Sequence, residues 1–467
     1  MAYFKSRPSR VFEPQDIIRP GDGINTYNPP NEIKRSECVS ALNISNQNYP
    51  ALSVRPGRSY QFPSSSATIT TPSALGTRGT SSANTFHVVD GAVWKYWSVA
   101  TTDYINISTT CISGTDKLLQ FNTAAAKFTV RANTSYLEYF NGTTVADIAA
   151  APQTRLYTCD DYRLFALDGA VLKCCAANTI TDWTTVLDAD TIPVAGMQGV
   201  GTAISAYNDM VICWSDQTMH ILYGNDPIDF EFMEPIPVGC VSDRSVVVHN
   251  NILYFMDYDR IMGYTGGVPK EVSQRVKTYV EGINWTYKDK ICAGKFGKYI
   301  YWSIPYGTSA TTNNYTLQYD TDLRLWYVWN MGILDFTQVD ENLYAVDTSG
   351  YIWKLNYGTD DGGTAITWEV TFGVWDSLPV RGLKVIGDIY AVLDLPTGST
   401  LTVSYSTDWD GTSFTTLKTF TASVNEQNTR IQIPTSALQG INWYRLKFSG
   451  TGPCTIFYLE PYMRVRR

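Results

Sequence analysis

Between residues 86 and 358 the chain alternates apolar and polar positions in short bursts, each interrupted by a turn signal. YNDMVICWSDQTMHILYGN (207–225) alternates, breaks at Ser215-Asp216-Gln217 and alternates again. A period of two marks half-buried β-strands, and the break marks a hairpin. The same phrase returns as FHVVDGAVWKYWS (86–98), LYTCDDYRLFALDGAVLKCC (156–175), VVVHNNILYFMDYDRIMGYTGG (246–267), AGKFGKYIYWSIPYGTSATTNNYTLQYD (293–320) and FTQVDENLYAVDTSGYIWKLNYG (336–358). A weaker unit reads LLQFNTAAAKFTVRANTSYLEYFNG (118–142). The clear units recur roughly every 40 to 70 residues, the range of propeller blades carrying insertions. One hairpin cannot bury both of its faces, whereas sheets stacked around an axis bury each against two neighbours. The pattern therefore predicts a β-propeller over residues 36–358, with six blades, or seven if the weak unit counts.

The style changes on either side. Residues 1–35 carry five prolines without periodicity and read as an extended arm. TDDGGT (359–364) is a polar boundary. Beyond it, seven or eight alternating strands over 359–467 suit a β-sandwich of jelly-roll type. Helix signals are scarce, and GVPKEVSQRVKTYVEGIN (267–284) is the best of them.

Composition supports an all-β chain. Aromatic residues make up 13% of the 467 positions, with 31 Tyr and 13 Trp, types that suit pleated surfaces. The net charge of −8 argues against wrapping nucleic acid by phosphate neutralisation. Nine cysteines at irregular spacing, with no C-x-x-C pair, read as buried thiols folded in a reducing compartment. No run is apolar enough for a signal peptide or a membrane helix, so a cytoplasmically made product is expected.

Candidate chemistry is thin. His87, His220 and His249 lie in separate strand-like segments, and a three-histidine metal site would need all of them to converge. The carboxylate pairs Asp160-Asp161, Asp320/Asp322, Asp360-Asp361 and Asp408/Asp410 lie in turn text, where Asp serves backbone hydrogen bonds. Gly199-Val200-Gly201 is a lone G-x-G. STDWDGTSF (406–414) approximates the aspartate turn of sialidase propellers and reads as a hairpin turn. No catalytic, cofactor or metal residue is assigned, and no enzyme activity is expected. The basic residues Arg7, Arg10, Arg19 and Arg55, with Arg464, Arg466 and Arg467 at the other end, are candidates for partner contact.

The layout resembles the tail-hub or nozzle proteins of short-tailed bacteriophages, a family described as packaged-DNA stabilisation proteins. ALNISNQNYPALSVRPG (41–57) carries the resemblance, as does SAYNDMVICWSDQTMHILYGNDP (205–227), followed by Gly239-Cys240 and VVVHNNILYFMDYDRIMGYTGGVPKEVS. LTVSYSTDWDGTSF and WYRLKFSGTGPCTIFYLEPYMR complete it near the C-terminus. Order and spacing over residues 36–467 carry the weight, and no single motif is specific. The resemblance implies a structural protein of the virion tail, made in the host cytoplasm. It would assemble with itself as a ring, usually of six, below the portal and adaptor. It would anchor fibres or spikes and surround the channel through which packaged DNA passes without sequence-specific binding, with no insertion in a membrane. The alternative from the residues is a carbohydrate-binding or carbohydrate-cleaving propeller, since a glycosidase needs two facing carboxylates and aromatic residues can stack sugars.

Overall fold

The computed structural model describes the chain apart from residues 1–12, 15–16, 61–68, 80–84, 99–100, 113, 115, 124–125, 161, 377–383, 409–412, 442 and 466–467. It is an all-β molecule of many small sheets in a propeller-like arrangement. The longest α-helix among the described residues is Lys277–Glu281, inside the one stretch with helical sequence. The chain divides into two compact units, each built from discontinuous segments.

The repeated unit comprises residues 58–324 and 330–356. Its antiparallel sheets follow in chain order over residues 72–108, 117–147, 157–193, 203–232, 247–271, 292–320 and 333–355. The first five have four strands each, every strand pairing with the next along the chain. The turns that join them have the residues they require. Asn208 and Asp209, and likewise Asn250 and Asn251, all have φ between 48° and 57°. Two consecutive left-handed residues make the hairpin turn whose twist matches the strands, and Asn and Asp tolerate that conformation best. In the sixth sheet three strands lie within this unit; the next strand in the chain, Leu325–Trp329, is assigned to the other.

The seventh sheet is completed from far away in sequence. Ile333–Val339, Asn342–Asp347 and Ile352–Leu355 supply three strands, and Arg58–Tyr60 supplies the fourth, with Trp353 opposite Tyr60 and Leu355 opposite Arg58. Tyr60 stacks on Trp353 at 4.0 Å between ring centroids, and the Arg58 guanidinium covers the same indole at 3.9 Å. The Trp353 indole N–H donates to Asp347 at 2.6 Å, and Arg58 pairs with the same carboxylate at 3.5 Å. The first strand of each sheet neighbours the first strand of the next except between the fourth and fifth, which pack through their side chains; there the turn Asp243–Ser245 bridges the fourth to the sixth, and Ile333–Val339 returns to Pro72–Arg78. The ring of sheets is thereby continuous.

Side chains between adjacent sheets form the core. Trp214, Met219 and Ile221 of the fourth sheet meet Leu253, Phe255 and Met262 of the fifth. Phe121, Val130 and Leu137 of the second meet Tyr157, Leu164 and Ala166 of the third.

The second unit comprises residues 1–57, 325–329 and 357–467, so the entry segment up to Gly57 belongs with the C-terminal segments. One sheet runs in the order Ile44–Ser45, Leu52–Val54, Thr455–Val465, Lys384–Leu395, Glu426–Ile433. Another runs Leu325–Trp329, Cys38–Leu42, Thr367–Asp376, Trp443–Thr451, Thr400–Ser406, Thr415–Thr421. The physical reason for the boundary is pairing. Cys38–Leu42 is antiparallel to Thr367–Asp376, and Leu42 lies opposite Val328 in parallel. The Trp329 indole donates to the Ile44 carbonyl at 2.9 Å, and the Tyr327 hydroxyl to Gly21 at 2.7 Å. Residues 17–35 are held too: Ile18 bridges Leu459, and Ile24 bridges Cys38.

Candidate functional site

The innermost strands of the repeated unit surround a cavity of about 440 Å³. Its wall is drawn from residues 75–77, 117–120, 157–159, 204–205, 243–244, 246 and 335–337. Four of these positions carry charge: Lys117, Asp243, Arg244 and Asp335. A short 3-10 turn, Asp243–Ser245, projects the central pair just before the fifth sheet.

Arg244 spans the space. One guanidinium nitrogen donates to the Ser73 carbonyl of the first sheet at 3.2 Å, the other to the Asp116 carbonyl beside the second at 2.6 Å. Asp243, buried, pairs with Lys117 at 3.5 Å and Arg155 at 3.3 Å, residues of the second sheet and of the approach to the third. Burial opposes its charge, but Lys117, Arg155 and Arg244 together outweigh burial and hold its carboxyl below the usual range. Asp335 of the seventh sheet accepts the Leu75 amide of the first at 2.8 Å and the Phe336 amide at 2.9 Å. Burial raises its pKa, with Arg244 and the two amides opposing. Each charged group at the centre thus reaches from one sheet to another. Charge-assisted bonds in such a low-dielectric setting are strong, and an uncompensated charge there is costly.

A second ionic cluster joins the first sheet to the second. Arg131, fully buried, meets Asp116 at 2.6 Å and Glu138 at 2.6 Å. Thr110 donates to Glu138 at 2.6 Å and accepts from Arg131 at 2.6 Å, Ser108 donates to Glu138 at 3.1 Å, and Asn133 donates to Asp116 at 2.8 Å.

The residues singled out in the sequence are dispersed. Arg7, Arg10, Arg466 and Arg467 lie outside the described residues, as do Asp161 and Asp410. Arg19 is exposed. Arg464 pairs through its backbone with Val385. Arg55 does not sit on a partner-facing surface. It is 3% exposed, clasps Asp361 with two bonds of 2.9 and 2.7 Å, donates to Asn43 at 3.0 Å and lies 5.7 Å from the Trp329 ring. The reason is that Asn43 and Asp361 offer a buried guanidinium a full set of acceptors inside the same unit.

The three histidines lie in the first, fourth and fifth sheets. Burial depresses the pKa of each, that of His87 to about 3, with Arg78 adding to the effect. Among the described residues no group of three or more His, Cys, Asp or Glu side chains is placed to hold a metal ion. Asp320 accepts the amides of Asp322 and Leu323 and pairs with Lys298 at 2.7 Å, and Asp360 accepts the Gly363 amide, so both serve turns. The nine cysteines are free thiols, and eight of them are buried.

Sequence reasoning missed Asp243, Arg244 and Asp335. Asp335 stands about 90 residues from the Asp243-Arg244 pair, and only the ring brings them together. A usable signal lay in Asp243-Arg244, an adjacent charged pair in otherwise apolar text (VGCVSDRSVVVHN).

No family model matches the chain, and no curated protein matches it. Solved structures that resemble it include BamB from Moraxella catarrhalis, at 9% identity over 74% of this chain and 97% of that one, with a TM-score of 0.42. A chain of the mitotic checkpoint complex matches at 8% identity over 76% of this chain and 96% of that one, with a TM-score of 0.41. PorZ of Porphyromonas gingivalis, a surface component of the type-IX secretion system, matches at 11% identity over 67% of this chain and 39% of that one, with a TM-score of 0.43. Scores and identities this low carry no functional inference.

Proposed function

We propose that the chain is a structural, non-enzymatic subunit of a phage tail, a hub or nozzle that assembles into a ring, and that its repeated unit is a seven-bladed propeller. The seventh blade is the one closed by Arg58–Tyr60, and the weak sequence unit at 118–142 is the core of a full blade, one more than the six favoured by spacing. The remaining unit reads as a sandwich of its two sheets.

One observation carries the functional reading. The charged groups at the propeller axis are committed to one another and to backbone carbonyls and amides across the ring. Such an axis is an internal clamp, and a propeller clamped in this way works through its outer surface, as a building block does. The resemblance in sequence order to tail-hub proteins supplies the kind of assembly: a ring, of six by analogy, between portal and adaptor on one side and fibres or spikes on the other. An acidic chain suits a wall past which DNA moves, because like charges repel.

The carbohydrate-cleaving alternative would draw on Asp243 and Asp335, the two carboxylates lining the cavity, with Tyr157 beside them. Against it, Asp243 is held charged by Lys117, Arg155 and Arg244, and both oxygens of Asp335 accept backbone amides, from Leu75 and Phe336, so the pair is tied to the fold although burial raises the Asp335 pKa. The test is the state of the purified protein. Mass photometry and negative-stain imaging are expected to show a closed ring with an axial hole. A monomer that releases reducing sugars from a host surface polysaccharide would overturn the proposal.

A further inference from the structure

Between Cys174 and Asp243 the chain has nine acidic residues and no Lys or Arg. This stretch builds a groove of about 380 Å³ on the repeated unit, between the loop that follows Cys175 and the loop at 224–230. Its lining is mixed: the apolar Trp183, Val186, Leu187, Ala189, Pro227 and Ile228 stand beside Thr184, Asp190 and Thr191. Val186, Leu187 and Ile228 are 82%, 68% and 77% exposed, so three large aliphatic side chains stand in water at one place. Isolated exposed aliphatics are ordinary, but a grooved cluster of them marks a contact surface.

The groove is firmly built. Buried Arg163 ties its two lips together, pairing with Asp188 at 2.8 Å and Asp226 at 2.9 Å. Asp182 accepts the amides of Thr184 and Thr185, both at 3.0 Å, and the Trp183 indole donates to Ile180 at 3.1 Å. Leu187 lies at φ 72°, in the left-handed region. Asp226 and Asp229 are exposed in the loop that forms one lip, and Glu231 and Glu234, just after it in the chain, are exposed as well.

A matching ligand is written in the same chain. Residues 1–12, MAYFKSRPSRVF, have three basic residues, no acidic residue and the aromatics Tyr3, Phe4 and Phe12. We propose that this groove receives the N-terminal segment of a second copy of the chain, its aromatic side chains against Val186, Leu187 and Ile228 and its Lys5, Arg7 and Arg10 facing the acidic lips. Apolar anchors within a complementary charged rim are the usual anatomy of a specific interface. The proposal rests on the reading of the chain as a ring subunit, for which it supplies one subunit contact.

The test uses the full chain with a photo-crosslinking phenylalanine analogue in place of Phe4, mixed with an isotope-labelled copy. The expected product is a crosslink between copies, mapping to the peptides containing residues 183–191 or 226–230. Leu187→Asp with Ile228→Asp, both exposed and so tolerable to the fold, is expected to reduce that crosslink by about tenfold, the scale on which a buried interface anchor acts. Raising salt from about 50 to 500 mM is expected to reduce it as well. Circular dichroism checks that the variant is folded. Crosslinks that map elsewhere, that form within one copy, or that survive the groove substitutions overturn the proposal. Sedimentation separates the two claims: rings that form without a groove crosslink refute the groove alone, and a monomer without any crosslink between copies refutes both.

Discussion

The interface between the first and second sheets and that between the fourth and fifth solve one packing problem in two ways. The latter is closed by hydrophobes, with Trp214 against Phe255 at 5.3 Å and Ile212, Met219 and Met262 around them. The former has apolar members too, Trp94 and Phe140, but His87 and the Arg131–Asp116–Glu138 cluster lie in the same region. Hydrophobic burial is non-directional and tolerates repacking. A buried ion network is directional, and every member depends on the others. The first interface should therefore be brittle and sensitive to pH, and the second tolerant and insensitive to it.

Arg131→Ala is the sharpest way to break this contrast. It strands Asp116 and Glu138 in the interior and should cost about 3–5 kcal/mol in urea unfolding. The triple change Arg131→Met, Asp116→Asn, Glu138→Leu removes the charges together and should recover most of that loss, since apolar replacements of buried ion pairs are often neutral. If the triple variant is as unstable as the single one, the cluster is not acting through charge.

Next in size is a pH effect at His87. Its folded pKa of about 3 lies below the unfolded value of about 6.5, so the unfolded chain binds the proton first. Its contribution is present above pH 6.5 and is lost as the pH falls toward 3. Between pH 6.5 and 4.5 the loss should be about 2–3 kcal/mol. Urea midpoints of His87→Leu should fall less over that range than those of the wild type; parallel slopes would refute the assignment. Asp243, held below its usual pKa, adds a loss that begins only as the pH falls below about 3.9.

Ile221→Val at the apolar interface should cost about 1 kcal/mol, equally at pH 7 and pH 4.5. Thermal melts at the two pH values check this, and a pH-dependent cost would blur the comparison. The smallest effect is expected outside both interfaces, at the exposed pair of Lys288 and Asp216, 2.9 Å apart. Lys288→Ala should change stability by less than about 0.5 kcal/mol, falling toward zero in high salt.

The same contrast explains which parts of the fold could be read. The fourth and fifth sheets announce themselves as VICW, MHILY and ILYFMD, because apolar side chains on both faces leave dense hydrophobic text. The second sheet reads faintly, since Arg131, Glu138 and Thr129 occupy positions that would otherwise be apolar. Outer strands such as Val145–Asp147 and Asp190–Pro193 are largely exposed, so nothing forces their residues to alternate.

The sequence by itself determined the all-β class, the recurring hairpins and the turn duties of Asp320 and Asp360. These follow from local rules: a two-residue period, φ preferences and short-range hydrogen bonds. Only the tertiary structure decided that Arg58–Tyr60 completes the last sheet of the repeated unit, that Arg55 is interior, and that Asp243, Arg244 and Asp335 meet at one centre. Each depends on residues brought together across long stretches of chain. A three-residue strand or a single charge has no periodicity to betray it, and its partner is chosen by geometry after the sheets have formed.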